Sequence, residues 1–549
     1  MEVSAPKRKF NFSVGEILEH VPAGFQLRPN QVKILMELER NWARHDVFLV
    51  KAPVASGKSL ILQTLTRWLN ASGIRAVTLT PQVLLQDQYE QSFPDVTNIK
   101  GATRYDCRES KNLSCASRKD IFGVCCGGCE YTRVTEEAQS SSNVIANYHS
   151  YLAHRIHKEV LLLDESHNTF RVLQDLLTIN FWADKHKFPK ETPTYGDISI
   201  WLEKLIKEEE INVAAESDRV RKMKKILEST NASPNHRQQA IDAIAESGSA
   251  LTKAKRALRR YEMCYEAVTQ CPEPMFIERG LETRHGKEIE CIKIRPKNMT
   301  GLPRLLWPDK VQKIVFTSGT LHSLDIEKLG LSDKRVFEVE VDSIIPKANR
   351  PIIPITNVNL ASKYQDKNLG KLVETLRMLM DEHPDTKGVI HTTYSLAAKL
   401  WPLLQDPRVM YHSGDDKQAR LKEYIESTEP KVLVACGMSE GLDLNGHGYA
   451  WQAITKIMWP NRGDKLIDEL YTSEPDYILW ETIKTVIQQA GRICRGPEDQ
   501  GATYIIDSGF GNVLTRQSGL IQRANRFIPN YFMESLQWQK GLELARRVR

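Results

Sequence analysis

The stretch Phe48-Leu-Val-Lys-Ala-Pro-Val-Ala-Ser-Gly-Lys-Ser-Leu-Ile-Leu-Gln-Thr-Leu65 constrains the fold of this chain more than any other. An apolar β-run ends in a turn of small residues, and a helical run begins at once. A strand that feeds a helix this directly belongs to a parallel sheet covered by helices. The turn itself, Ala52 to Ser59, has the make-up of a phosphate loop. Backbone N–H groups wrap an anion, small residues allow close approach, a lysine reaches the terminal phosphates and a hydroxyl serves Mg²⁺. Gly57, Lys58 and Ser59 supply the last three, and Ala55 and Ser56 complete the candidate cradle. The pattern is slightly off, because Ala52 and Ala55 stand where glycine is usual.

Four runs of the same type, "DVFLVKAP", "RAVTLTPQ", "NVIANYHS" and "EVLLLDES", alternate with helical stretches up to about residue 170. They are apolar on both faces, as strands inside a parallel sheet must be. From about 170 to 300 long charged helical patterns take over, including "RVRKMKKI" and "KAKRALRR". Strand character returns in "QKIVFTSGTL", "KGVIHTT", "KVLVACG", "ITKIMWP" (454–460) and "ATYIIDS". The 549 residues therefore divide into two α/β domains, the first of them interrupted. No apolar run approaches the roughly 20 residues of a membrane span. The first thirteen residues lack the apolar core of a signal peptide, which points to reduced cysteines. A formal charge of +6 permits a polyanionic partner.

"EVLLLDESHN" ends an apolar strand in Asp164 and Glu165, where a Mg²⁺-organising and a water-activating carboxylate belong. In "VIQQAGRICRG", Gln488, Arg492 and Arg495 are spaced i, i+4 and i+7, one face of a helix. Arginines in a second α/β unit can reach across a cleft to charge developing on a γ-phosphoryl group. Each motif alone has a bland reading as a solvated loop or a salt-bridged surface. Together they read as a nucleotide hydrolase.

Asp-Glu-Ser-His, "TSGTL" (317–321), "SEGLDL" (439–444) and Gln488 to Arg495 stand in the order of superfamily-two helicase motifs. "LRPNQ" (27–31) resembles the adenine-side motif, and "TLTPQVLLQDQY" resembles the strand-contacting motif. With a cysteine insertion before the Asp-Glu box and a helical one after it, the chain resembles the XPD/DinG-like iron-sulfur DNA helicases from about residue 25 to 535. "IKGATRYDC", "CEYTR", "VIANYHSYL" and "DSIIPKANRP" are weaker local matches. The resemblance implies two RecA-like parallel-sheet motor domains with a small iron-sulfur insertion and a helical arch insertion in the first. The boundaries are 1–100, 136–170 and 301–345 for the first motor domain, 101–135 for the cluster, 171–300 for the arch and 346–549 for the second motor domain.

Residues 107–129 hold Cys107, Cys115, Cys125, Cys126 and Cys129, five of the ten cysteines. Spacing alone leaves zinc and iron-sulfur equally open. The resemblance implies a [4Fe-4S] cluster on Cys107, Cys115, Cys129 and Cys126, with Cys125 the alternative to Cys126. It also implies ATP and Mg²⁺ as cofactors, with Gln31 reading adenine and Asp443 relaying nucleotide state. Expected partners are single-stranded and forked DNA and a single-strand-binding or loading protein. The chain is expected to be a monomer off the membrane, cytoplasmic and nucleoid-associated or, for a viral chain, in the host-cell cytoplasm, with a nuclear location left open. Tyr105 and Tyr148 are candidates for base stacking. The competing reading is a DNA-stimulated ATPase that remodels protein–DNA complexes around a structural zinc site.

Overall fold

The computed structural model describes residues 16–108, 115, 128–189, 193–229, 233–270, 275–284, 286–300, 302, 307–308, 310–437, 449–494 and 496–548. Five strands come first: β1 (Val47–Lys51), β2 (Ala76–Thr80), β3 (Thr97–Ile99), β4 (Asn143–Asn147) and β5 (Val160–Leu163). Three lie in the interruption, β6 (Ile179–Trp182), β7 (Met275–Arg284) and β8 (Lys287–Pro296). Then β9 (Lys313–Ser318) and β10 (Val336–Glu340) return the chain to the first sheet. That sheet is parallel throughout, in the order β10-β1-β9-β5-β2-β4-β3. Its residues alternate between two cores. Val47 and Leu49 pack with Leu161, Ile314 and Phe316 on one face. Phe48 and Val50 pack with Ile61, Leu65 and Val315 on the other. Covering both faces is what the continuous apolar runs require.

The second lobe holds β11 (Ile352–Val358), β12 (Lys387–Thr392), β13 (Val409–Met410), β14 (Val432–Cys436), β15 (Tyr449–Ile454) and β16 (Ala502–Asp507). Their order is β11-β16-β15-β12-β14-β13, again all parallel. The two parallel-sheet lobes are those the sequence implies. One strand differs in place: β15 ends where "ITKIMWP" begins, so the apolar run after Ile454 is the loop leaving the strand.

The insertion is built on two long helices, Tyr195–Glu228 and Pro234–Gln270, packed on each other. The first starts in a capping box, with Thr194 Oγ1 accepting from Asp197 N–H at 3.2 Å and Asp197 Oδ2 accepting from Thr194 N–H at 2.8 Å. The charge runs have local uses. Arg219, Arg221 and Lys222 pair along their own helix with Glu216 and Asp218. Arg259 and Arg260 donate to the carbonyls of Leu152 and Thr178, fastening the second helix to the first lobe. The insertion also contains an antiparallel sheet, β6-β8-β7, which the charged helical character of the region hides.

The C-terminal helix Trp538–Arg547 closes the second lobe against β11, and Gly541 sits at the crossing. A Cβ there would lie 2.1 Å from the carbonyl oxygen of Pro354, with only backbone to move. Gly541→Ala is therefore expected to lower stability by about 1–3 kcal/mol in urea unfolding. Gly370→Ala, at an exposed position in the first turn of the helix Leu369–Glu382 with nothing within 4 Å of the new methyl, should be neutral or mildly stabilising.

Candidate functional site

In the sheet order, β9 lies between β1 and β5, so three loops emerge side by side at one edge: the phosphate loop, Thr317–Leu321 and the Asp-Glu box. Ala52 N–H donates to the Ser318 carbonyl at 3.0 Å, and a Cβ on Gly319 would lie 3.3 Å from Pro53 Cα. The phosphate loop turns through two left-handed residues, Ala55 at φ +69° and Gly57 at φ +70°. Ala55 thus accepts a conformation that glycine would take without strain. Lys58 and Ser59 open the helix Lys58–Ala71, so its unpaired N–H groups face the loop's concavity.

Gln31, 2% exposed, holds this loop from behind. Its Nε2 donates to the carbonyls of Ser56 at 3.0 Å and Gly57 at 3.3 Å, and its Oε1 accepts from Arg28 N–H at 2.8 Å. Arg28 adds a bond from Nη1 to the Ala55 carbonyl at 2.8 Å. A Cβ on Gly57 would meet Gln31 Nε2 at 2.3 Å, so glycine is needed there for closeness as well as for φ.

Glu165, itself left-handed at φ +47°, turns away from its strand toward Lys58, with Nζ to Oε1 at 3.2 Å. Burial would raise this carboxyl. The Lys58 ammonium and then His167 and Arg492 outweigh it and hold Glu165 at about 2. Asp164 is 3% exposed, and burial followed by the Glu165 charge pushes its carboxyl upward. Three donors fix it: Tyr89 O–H to Oδ2 at 2.8 Å, Glu165 N–H to Oδ1 at 2.9 Å and Thr317 O–H to Oδ1 at 3.2 Å. Burial depresses His167 to about 3, so the ring is neutral. Asn168 Nδ2 donates to its Nε2 at 3.0 Å, which leaves the proton on Nδ1. That nitrogen faces Ser318 Oγ at 2.9 Å and Glu165 Oε2 at 3.4 Å.

The helix Pro475–Ala490 brings the second lobe to this edge. Gln488 Nε2 donates to Thr320 Oγ1, and Tyr531 O–H donates to the Gly319 carbonyl at 3.2 Å. One turn before Gln488, the buried Lys484 donates to the His167 carbonyl at 3.2 Å and pairs with Asp325 at 3.4 Å and with Glu481. The helix ends before Arg492. Its C-cap is Gly491, whose N–H returns to the Ile487 carbonyl at 3.1 Å, so the i, i+4 face read from the sequence is not continued. Arg492 lies instead in the following turn, close enough for its charge to act on Glu165, His167 and His391. Arg495, Asp443 and the "SEGLDL" segment lie outside the described residues. Asp325 and Lys484 escaped the sequence reading, and Tyr89 entered it only as the last residue of "TLTPQVLLQDQY". The only signal for Lys484 was a lone cation, three residues after Glu481, in the largely apolar run "YILWETIKTVI".

Of the five cysteines, Cys125 and Cys126 lie outside the described residues. Cys107, Cys115 and Cys129 are buried together with Tyr131, and the Cys115 and Cys129 sulfurs are 3.4 Å apart. Cys129 is the N-cap of the helix Glu130–Ser140. The donor type suits a thiolate-held metal group. Among the described residues no three His, Cys, Asp or Glu side chains converge as a metal-binding group. Burial raises the thiols of Cys264, Cys291, Cys436 and Cys494 to about 11 or 12, which leaves them neutral core side chains. Tyr148, 2% exposed and bonded to Thr169 Oγ1 at 2.7 Å, is a core residue and offers no stacking face. Tyr105 is half-buried against Tyr131, ring centroids 5.4 Å apart.

His391, 2% exposed beneath this cleft, is depressed by burial to about 4 against an ordinary 6.5. Between those values the unfolded chain binds the extra proton, so stability falls as pH drops from 6.5 toward 4, and His167 adds to the same limb. Urea midpoints measured across pH 7 to 4 should decline, and His391→Asn should make the decline shallower.

A family model for a helicase C-terminal domain matches residues 376–522. A sequence search of curated proteins gives no match. Among solved structures, the chain is similar to S. tokodaii Xpd4 at 13% identity and TM-score 0.52, over 93% of this chain and 99% of that one. It is similar to an XPD helicase at 14% identity and TM-score 0.56, over 95% and 98%. A structure of apo XPD matches at 14% identity and TM-score 0.52, over 87% and 96%. The chain thus has the fold of the XPD helicases and carries a helicase C-terminal domain in its second lobe.

Proposed function

We propose that this protein is an ATP-dependent DNA helicase that translocates 5′ to 3′ on single-stranded DNA and unwinds duplex by hydrolysing ATP between its two lobes. The observation that carries this reading is the joint edge. Lys58, Asp164 and Glu165 of the first lobe face Gln488 and Arg492 of the second across one cleft. Lys58 holds the β- and γ-phosphates. Ser59 and Asp164 are the residues that organise Mg²⁺, which when bound neutralises phosphate charge. Glu165 accepts the proton of the attacking water. Its ion pair with Lys58 explains how a carboxylate held near 2 becomes basic enough. When the lysine moves to the phosphates, the largest charge that lowers Glu165 is withdrawn, and its proton affinity rises. Arg492 stabilises the transferring phosphoryl group, and Arg495 and Gln488 assist. Gln31 serves this site by bracing the loop, and any adenine contact would use the free lone pair of Oε1.

Cys107, Cys115, Cys129 and either Cys126 or Cys125 hold a [4Fe-4S] cluster in this reading. A zinc site in a remodelling ATPase is the second reading, favoured by the same thiol donors. Iron, sulfide and zinc content of aerobically purified protein separates the two, and stoichiometric zinc with full activity after iron chelation would sink the cluster. Forked DNA with a 5′ tail should be unwound with ATP and left intact without it, whereas unwinding only from a 3′ tail reverses the polarity. Glu165→Gln should bind ATP normally and lose about 100-fold or more in turnover. Cys129→Ser should lose unwinding about tenfold more than ATPase, and equal losses would make the cysteine a folding element.

A further inference from the structure

We propose that Tyr89 is a positioning residue for the Mg²⁺-organising pair Ser59 and Asp164, and that the helix Val83–Ser92 passes strand occupancy to that pair through it. The proposal rests on the helicase reading above. Tyr89 is 2% exposed, and its hydroxyl donates to Asp164 Oδ2 at 2.8 Å. Ser59, at the start of the neighbouring helix, is close enough to act on the same phenol. One side chain therefore bonds one of the two groups on which the magnesium would depend and stands beside the other. A carboxylate offers about four lone-pair directions. Tyr89 takes one on Oδ2, while Glu165 N–H and Thr317 approach Oδ1, so Tyr89 is the only one of these three on the Oδ2 side. Partners of this kind, one shell behind a metal ligand, fix the ligand's orientation.

The other end of the helix explains why a tyrosine on this element matters. Pro81 and Val83, at its start, line a cavity of about 390 Å³ with Asn147, Tyr148, His149 and Leu176. Asn147 Nδ2 donates to Gln86 Oε1 at 3.3 Å, one turn before Tyr89. Gln86, fully buried, is anchored in turn to Asn98 Oδ1 and the Ile99 carbonyl, both at 3.0 Å. A strand seated against Pro81, Val83 and Asn147 would load a short rigid lever whose far end is the hydroxyl on Asp164. Such a lever links the strand-contacting motif to nucleotide chemistry without a second-lobe contact.

Tyr89→Phe keeps the ring against Phe93, 5.9 Å between centroids, and removes only the hydroxyl. The probe is Mn²⁺, titrated by EPR into the full chain with ADP present. Its dissociation constant should rise about tenfold. In steady state the Mg²⁺ concentration for half-maximal ATPase should rise in parallel, the KM for ATP at saturating Mg²⁺ should stay within about twofold, and stimulation by single-stranded DNA should fall. An unchanged Mn²⁺ affinity overturns the proposal, and weakened affinity with wild-type stimulation overturns the lever. A wild-type chain with no DNA-stimulated ATPase would instead overturn the helicase reading, while the Mn²⁺ titration still judges Tyr89.

Discussion

The pairing of β9 between β1 and β5 is the contact on which the rest of the site depends. β9 follows β5 by about 150 residues of chain, yet Ile314 is registered with both Val47 and Leu161. Parallel pairing aligns the strands' C-terminal ends, so Ser318 reaches the phosphate loop through Ala52 on one side and His167 on the other. Without β9 the loop and the carboxylates would stand on strands separated by a gap of one strand width, about 4.8 Å on each side. Thr317 could then neither cap Asp164 nor accept Ser166 O–H at its carbonyl. A long insertion between β5 and β9 is tolerated because loop closure costs rise only slowly with length.

The second lobe is bound to this edge by buried charge as much as by apolar contact. Lys484, Asp325 and Glu481 form an enclosed group, and Trp480 Nε1 donates to Asp325 Oδ1 at 3.0 Å. Removing one member of such a group leaves an uncompensated charge, which penalises any arrangement of the lobes that separates them. The insertion is tied to the second lobe in the same way. Arg295, 9% exposed, grips Asp464 with both terminal nitrogens and also reaches Glu278 at 3.2 Å. Lys297 pairs with Glu469 at 2.6 Å. The insertion thus grows out of the first lobe but is clasped to the second, so a change of lobe angle must either carry it along or break these pairs.

Legibility in the sequence followed the physics of each element. Strands buried on both faces declared themselves as apolar runs, and the loop and box stood out because their chemistry needs particular residues. β7 and β8 did not, because an antiparallel pair with one polar face spreads its apolar residues among charges; the alternations at Ile289 and Cys291 and at Ile292 and Ile294, and the turn at Gly286, were the available signals. Arg492 was placed on a helix because spacing is blind to where a glycine ends one. Gln31 and Tyr89 could be named as motif members, but that they brace a loop and a carboxylate is tertiary information that no local pattern holds.

The cysteines show the same limit and where it lifts. The thiols' spacing is compatible with more than one metal, and their location in the sheet is more informative than the spacing. Cys107 follows β3 and Cys129 caps the helix that leads into β4, with Tyr131 O–H bonded to His154 Nε2 at 2.9 Å beyond it. β3 is the edge strand, and β4 and β2 separate it from β5. Three strand spacings, roughly 14 Å, separate β3 from β5, and Cys107 lies beyond the end of β3. The thiols thus follow the edge strand, while the phosphate loop and the carboxylates leave the inner strands β1 and β5. The thiols' own cluster, with Tyr131, shares no buried residue with the β1-β9-β5 core, so the two parts of the first lobe have cores of their own.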